Sequence, residues 1–467
     1  MKELKESKEV KRISLISVAL ASFLTPFIGA SLNIALPPIG KDFNLNAVTL
    51  GWVANSFLLA AAIFLVPFGR LADIYGRKKV FALGVLTFSG ASILAGVSNS
   101  ATLIIASRTI QGLGGAMIAA TTVAILTSVF RPGERGKAFG INVSAVYIGL
   151  TLGPFLGGIL IQHLGWRSIF FFIALAGLLV SALVVLKLKT EWADAKGESF
   201  DYTGTVLFGL SLFMIMYGFS TLPGKIAIIL LIFGGILIAI FVKHESKIEN
   251  PVLNVSLFTG NKFFAFSNFA VFFLYSASFA IGFLLSLYLQ YVKALSPQTT
   301  GLILLSQPLI MALFSPVTGK ISDRANPVLI ASSGSALVTL GLLSFSFVNG
   351  NSSILFIIFS LITVGAGYAL FSSPNTNALM SSVERKYIGM TSGTLATMRR
   401  LGQMTSIAIA TLMFSMIIGK NKISAENISL FIKSIRFAFI TFTILGIIAT
   451  VLSLLRIKPM EAKNEFL

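Results

Sequence analysis

The sequence predicts an all-α polytopic membrane protein, with two six-helix bundles flanking an inserted helix pair and fourteen transmembrane helices in all. Three observations carry that reading. Of 467 residues, 55% are hydrophobic and only 11% are charged, with mean hydropathy +0.89, whereas a soluble domain carries about 25% charged residues. Apolar stretches long enough to cross a bilayer, about 17–25 residues each, recur from end to end. Lysine and arginine collect in alternate connections between those stretches, the pattern expected of cytoplasmic loops.

Taken in order, Lys2, Lys5, Lys8, Lys11 and Arg12 precede a first block at Ile13–Pro37. That block exceeds the roughly 7–15 apolar residues of a signal peptide and has no small-residue cleavage site, so it reads as a retained helix. Val48–Phe68, Val80–Val97, Thr102–Ile125, Ala138–Ile161 and Ile169–Leu186 complete a first set of six spans. Thr203–Thr221 and Ile226–Val242 form the inserted pair. The last six are Phe263–Gln290, Gly301–Val317, Val328–Val348, Ile354–Ser373, Met390–Ile418 and Leu430–Leu455. This divides the chain into a cytoplasmic N-terminal tail (1–12), an N-terminal bundle (13–190), the inserted pair (203–242), a C-terminal bundle (263–455) and a cytoplasmic C-terminal tail (456–467).

Loops on the side of the termini hold 25 cations and the opposite loops 8, the latter counting Lys433 and Arg436 at the edge of the last span, with Arg108, Arg399 and Arg400 deep inside spans. The asymmetry places both termini in the cytoplasm of a multi-pass plasma (inner) membrane protein. Lys420, Lys422, Lys433 and Arg436 are the exception, clustered near the last outer loop. The net charge of +19 therefore faces anionic membrane lipid, and no nucleic acid is expected as a partner. With no Cys and 2 His, disulfides, thiol chemistry and Cys/His metal clusters are excluded. No phosphate-binding G-x-x-x-x-G-K-[ST] loop supports ATP-driven pumping. No catalytic cluster suggests an enzyme, no cofactor is expected, and the chain reads as a monomer.

The halves also repeat. Gly69, Asp73, Gly115 and Glu134-Arg135 return as Gly319, Asp323, Gly365 and Glu384-Arg385, each 250 residues later. Parallel repeats related by an axis along the membrane normal are a known transporter architecture.

The loop after span 2 reads Gly69-Arg70-Leu71-Ala72-Asp73-Ile74-Tyr75-Gly76-Arg77-Lys78-Lys79. Its glycines permit a tight reversal, and Asp73 is a lone acid among bases that can pair with an arginine or cap a helix. Span 4 holds Arg108-Thr109-Ile110-Gln111-Gly112-Leu113-Gly114-Gly115-Ala116. In span 5, Gly149, Gly153 and Pro154, followed by Gly157 and Gly158, combine a small face for close packing with a missing backbone donor.

These three strings resemble signatures of the major facilitator superfamily: G-x-L-[AS]-D-x-x-G-R-[KR]-[KR], R-x-x-Q-G-x-G-x-A and the antiporter-type G-x-x-x-G-P-x-x-G-G. Fourteen spans narrow the resemblance to its drug:proton antiporter branch, which includes multidrug and tetracycline exporters. Arg399-Arg400-Leu401-Gly402 looks like that branch's R-Q-L-G. The resemblance implies gating by Gly69, Asp73, Gly76 and Arg77, mirrored by Gly319, Asp323 and Arg324 in the second half. It also implies helix bending along the span 5 motif, and protons as a coupling partner. The first span departs from the branch, because Asn33 and Pro37 match its L-D-x-T-I-V-N-V-A-L-P pattern while Ile28 stands at the acidic position.

All 17 acids lie in loops or at span edges, so no carboxylate sits at mid-membrane, and Asp42 and Asp73 remain as candidate proton sites. The embedded ionisable groups are Arg108, Arg399 and Arg400, and such groups are costly enough to be functional by default. Arginine stays charged at physiological pH, so it binds anions or organises hydrogen bonds and cannot cycle protons. Asn33, Asn55, Gln111, Asn142, Tyr147, Asn268, Tyr275, Gln307, Asn375 and Asn377 offer hydrogen bonds among apolar walls. They serve either a pathway for a small organic substrate or interhelical adhesion. The expected function is export of lipophilic organic compounds by alternating access. The alternatives are a uniporter or exporter of an organic anion or lipid-like solute and, more remotely, a non-transporting membrane sensor.

Overall fold

A computed structural model gives the architecture. It describes all residues except 1, 189, 194, 249–257, 259, 323, 384–387, 420 and 457–467. Fourteen helices among the described residues are long and apolar enough to span a membrane, and no strand accompanies them. They are α1 (Lys2–Asp42), α2 (Ala47–Tyr75), α3 (Arg77–Gly96), α4 (Ala101–Val129), α5 (Pro132–Leu164) and α6 (Arg167–Lys187). The inserted pair is α7 (Tyr202–Thr221) and α8 (Lys225–Glu245). The second six begin with α9 (Lys262–Val292) and α10 (Pro297–Ser322). They end with α11 (Pro327–Phe345), α12 (Ile354–Ser381), α13 (Ile388–Ile417) and α14 (Ile428–Leu454).

Local chemistry sets the ends. Asn46 accepts from the Thr49 amide at 2.8 Å to start α2, and Ser353 does the same for Phe356 at 3.2 Å in α12, which satisfies first-turn donors. Helices overrun the apolar spans: α1 begins at Lys2 where hydropathy begins at Ile13, and α12 runs to Ser381. Hydropathy marks only the part in hydrocarbon, while helical hydrogen bonding continues into the polar interface. Two spans are interrupted. A break after Ser278 and a π turn at Tyr288–Val292 divide α9, and α10 changes path at Leu305.

In the first half α1 lies along α5, α2 along α4, and α3 against α4 and α6; in the second, α12 packs on α10 and α11, and α9 on α13 and α14. The inserted helices pair with each other, and α7 leans on α2 and α13. Large apolar side chains such as Leu175 and Leu179 are 63% and 65% exposed, an arrangement that only a lipid surround favours.

The repeat is visible at atomic contacts. A methyl group on Gly114 would lie 2.6 Å from Phe88 N, and one on Gly367 would lie 2.6 Å from Val338 N. A methyl group on Gly112 would meet Phe57 O at 2.5 Å, and one on Gly365 would meet Gln307 O at 2.6 Å. Phe57 and Phe88 map onto Gln307 and Val338 at the 250-residue offset, but Gly112 and Gly114 map onto Gly365 and Gly367 three residues beyond it. Gly365 therefore plays the part of Gly112, not of Gly115. The extra residues fall in the longer connection between α11 and α12.

Candidate functional site

The halves meet at the end of the bundle away from the chain termini, here called distal. Pro37 and Pro38 lack amide hydrogens, so the carbonyls four residues earlier, Asn33 O and Ile34 O, have no donor within α1. The second half supplies both. Ser286 Oγ donates to Asn33 O at 2.5 Å and Gln290 Nε2 to Ile34 O at 3.1 Å. Tyr291 donates to Pro37 O at 3.4 Å. The prolines thus create acceptors that α9 fills, and the bond crosses the interface between halves.

Two faces of the α5 motif serve two neighbours. A methyl group on Gly149 would approach Phe23 O to 2.6 Å, on Gly153 Ala30 Cβ to 2.7 Å, and on Gly157 Ser31 Cβ to 2.6 Å, so these three lay α5 on α1. Ser31 Oγ then donates to Gly153 O at 2.8 Å. Around the helix, Gly158 faces Pro297 O, where an added methyl would lie at 2.8 Å, and a methyl on Gly301 would collide with Pro154 O. Pro154 and Gly158 thus join α5 to α10 of the other half.

At the proximal end, which bears the termini, Asp73 pairs with Arg77 at 2.8 Å, and Arg77 Nη1 donates to Ser128 Oγ at 2.6 Å. Neither bond leaves the first half. Instead the connection from α6 to α7 folds over the loop. Asp73 O accepts from Ala195 N at 3.0 Å, and Trp192 O accepts from Arg77 N at 2.8 Å. Glu191 receives the amides of Lys78 and Lys79 at 2.8 and 3.2 Å, an anion at the positive start of α3. Arg70 pairs with Glu198 at 2.5 Å. Gly76 holds the reversal at φ +118°, and a methyl there would lie 2.5 Å from Glu191 Cδ. Gly76→Ala is expected to cost about 1–3 kcal/mol of strain and to lower the thermal midpoint of the purified protein. In the second half Gly319 faces Ser373, where an added methyl would lie 3.1 Å from its hydroxyl, and Arg324 is exposed. Asp323 and Glu384-Arg385 lie outside the described residues.

Arg108 is 1% exposed. Its guanidinium donates to Gln111 Oε1, its Nε to Val53 O at 3.4 Å, and its Cζ stands 4.6 Å from the Phe57 ring centroid. Gln111 passes the chain on to Ser92 Oγ at 2.6 Å. Asn55 is also buried, at 6% exposure. Arg399, by contrast, is only half-buried, 5.9 Å from the Tyr275 ring, and bonds Thr376 Oγ1 at 3.1 Å. Arg400 bonds Gln403 at 3.1 Å. Tyr147 reaches across from α5 to Ser315 of α10 at 3.4 Å. Asp42 joins Arg167 and Trp166 at 2.9 and 3.1 Å on the distal surface, and His163 is exposed.

Sequence reading passed over three groups. Arg456, assigned to the C-terminal tail, is 3% exposed and donates to Asn375 Oδ1 at 2.5 Å and to Ser267 Oγ at 3.0 Å. Its place just past an apolar block made it look like a loop cation. Lys433 and Arg436, counted as outer-loop cations, lie within α14. Arg436 donates to Ser346 O at 3.1 Å, so a helix end accepts it. Asp201, His244 and Glu245 converge at the proximal end of α7 and α8, with His244 3.2 Å from Asp201; 43 residues separate the two, and neither sits in a motif.

Two repeated bundles joined at one end, with polar and charged side chains between them, define a polytopic membrane transporter. A family model described as Major Facilitator Superfamily matches residues 18–407 and 269–466, and the chain belongs to that superfamily. It is similar to the riboflavin transporter RibZ of Clostridioides difficile (strain 630), with 32% identity over 87% of this chain and 88% of that protein. It is similar to the multidrug resistance protein Stp of Mycobacterium tuberculosis (strain CDC 1551 / Oshkosh), with 30% identity over 85% and 74% of the two chains. In fold it resembles the inward-facing, unoccupied crystal structure of a bacterial homolog of the human lysosomal transporter Spinster. That match has TM-score 0.70 and 15% identity over 96% of this chain and 97% of the other.

Proposed function

We propose that the protein exports lipophilic organic compounds across the plasma membrane by alternating access, with both termini cytoplasmic. The observation that carries the reading is the distal seal between the halves. Hydrogen bonds from Ser286 and Gln290 of α9 to Asn33 and Ile34 of α1 close the distal end. At the proximal end the described partners of Asp73 stay within the first half and its trailing connection. Such a shape is one of two states of a rocking carrier, in which rigid bundles turn about a central site. The cation bias of the proximal loops places that end at the cytoplasm, and the printed names of the relatives, multidrug resistance and riboflavin transport, supply the class of solute.

Coupling to protons is what the branch implies. Among the described residues no carboxylate lies midway along a helix, and Ile28 at the usual acidic position is fully buried in the core. Everted vesicles carrying the protein are expected to accumulate a lipophilic dye that control vesicles do not. Accumulation abolished by an uncoupler assigns proton antiport, and equilibration indifferent to the uncoupler assigns uniport. Equal uptake by control vesicles overturns the transport reading.

A further inference from the structure

We infer that the central site takes a flat aromatic organic anion, gripped by Arg399 and Arg400 of α13 beside the Tyr275 ring. The inference rests on the transport reading above and names its substrate class. Two guanidinium groups stand at membrane depth, and among the described residues neither has a carboxylate partner. Embedded cations without a counter-ion are expensive unless something else supplies the charge. Each guanidinium carries five donors in a planar fork suited to carboxylate, sulfonate or phosphate oxygens. Arg399 spends one on Thr376 at 3.1 Å and Arg400 one on Gln403 at 3.1 Å. The Nε of Arg399 is buried with no hydrogen-bond partner. Arg108 is a different case: it is sealed in the first bundle and its donors go to Gln111 and Val53 O.

The aromatic requirement comes from what surrounds these cations. Arg399 Cζ lies 5.9 Å from the Tyr275 ring centroid, within cation–π range. Tyr275 meets Tyr368 edge to face at 5.5 Å and 71°, and Tyr368 is pinned by Ser278 at 2.6 Å. These rings are therefore held rather than free, and they offer a flat ligand a preset wall. Gly402 fixes the approach of the helices, since a methyl there would lie 2.8 Å from Tyr275 Cβ and 2.6 Å from Phe272 O. Tyr147 of the first half meets Ser315 of α10 at 3.4 Å.

The test uses the full chain, purified and in proteoliposomes, with 6-carboxyfluorescein as planar anion and ethidium as planar cation, read both as equilibrium binding by anisotropy and as transport. The wild type is expected to bind and move the anion at least tenfold better than the cation. R399Q/R400Q is expected to lose that preference. R400Q alone, which carries the residue typical of the branch, is expected to fold as the wild type does on size-exclusion chromatography and to weaken anion binding severalfold. Tyr275→Leu is expected to weaken the anion further while keeping its charge preference. Equal handling of both dyes, unchanged anion binding in R399Q/R400Q, or no binding of either dye overturns the inference. Anion binding without transport sustains this inference and instead contradicts the transport reading.

Discussion

Gly301→Val is expected to abolish transport. The position has no room for a side chain, because a Cβ there would collide with Pro154 O of the opposite half. The obstruction is backbone, so it cannot rotate away as a side chain can, and α5 and α10 must separate. Overpacking of this kind costs about 1–3 kcal/mol in an ordinary core. Here the whole cost falls on the state in which α5 and α10 touch, leaving a state with the distal end parted less affected. The variant is therefore expected to reach the membrane, lose at least tenfold in transport rate and show a widened distal end. Gly165→Ala is the control, since nothing lies near its added methyl, although its φ of +79° makes it mildly destabilising. If Gly301→Val transports normally, the close approach of α5 and α10 is not needed for function.

Arg456→Ala is expected to cause the second large effect, this time on stability. The guanidinium satisfies Asn375 Oδ1, Ser267 Oγ and the Ser453 hydroxyl in a buried setting. It ties the end of α14 to α9 and α12. A hydrogen bond to a charged group is worth about 1.5–3 kcal/mol, and leaving its partner buried without one costs about 1–3 kcal/mol. A loss of about 3 kcal/mol or more is expected, seen as a lower thermal midpoint in detergent. Truncation after Leu455, which removes the same guanidinium, is expected to lower the midpoint at least as far. A midpoint indifferent to Arg456→Ala would mean that the buried cluster contributes nothing to holding the second half together.

Much of the fold was legible because a bilayer imposes a simple rule: each crossing is a long apolar helix, and its ends are marked by charge. All fourteen crossings have a counterpart in the structure. Helix lengths were less legible, since α1 and α12 continue past the point where their sequences become polar. The repeat was readable, but its register in α12 was not: Gly115 and Gly365 share an offset by coincidence, and only the contacts with Phe57 and Gln307 reveal the three-residue slip.

The site divided in the same way. Glycine and proline motifs announce themselves locally, and Pro37 and Pro38 imply two unsatisfied carbonyls. Their donors, Ser286 and Gln290, are about 250 residues away and resemble any other polar residue in a span. The connection that folds beneath the Asp73 loop was likewise invisible, because Glu191, Trp192 and Ala195 carry no pattern that says where they dock. The three embedded arginines were found together by charge alone. Burial and partners then separated Arg108, enclosed by Gln111 and Phe57, from Arg399, which stands half-buried beside Tyr275.

Exchange between two end-sealed states is best tested by paired spin-label distances, and the chain has no native cysteine to interfere. Labels at Lys41 and Ala294 span the distal end, and labels at Lys137 and Arg324 span the proximal end, all four positions being exposed. Each pair is expected to give two distances in reconstituted protein, with solute shifting the populations so that the distal distance lengthens as the proximal one shortens. A single unchanging distance at both ends, or changes at the two ends that occur independently, would contradict the account.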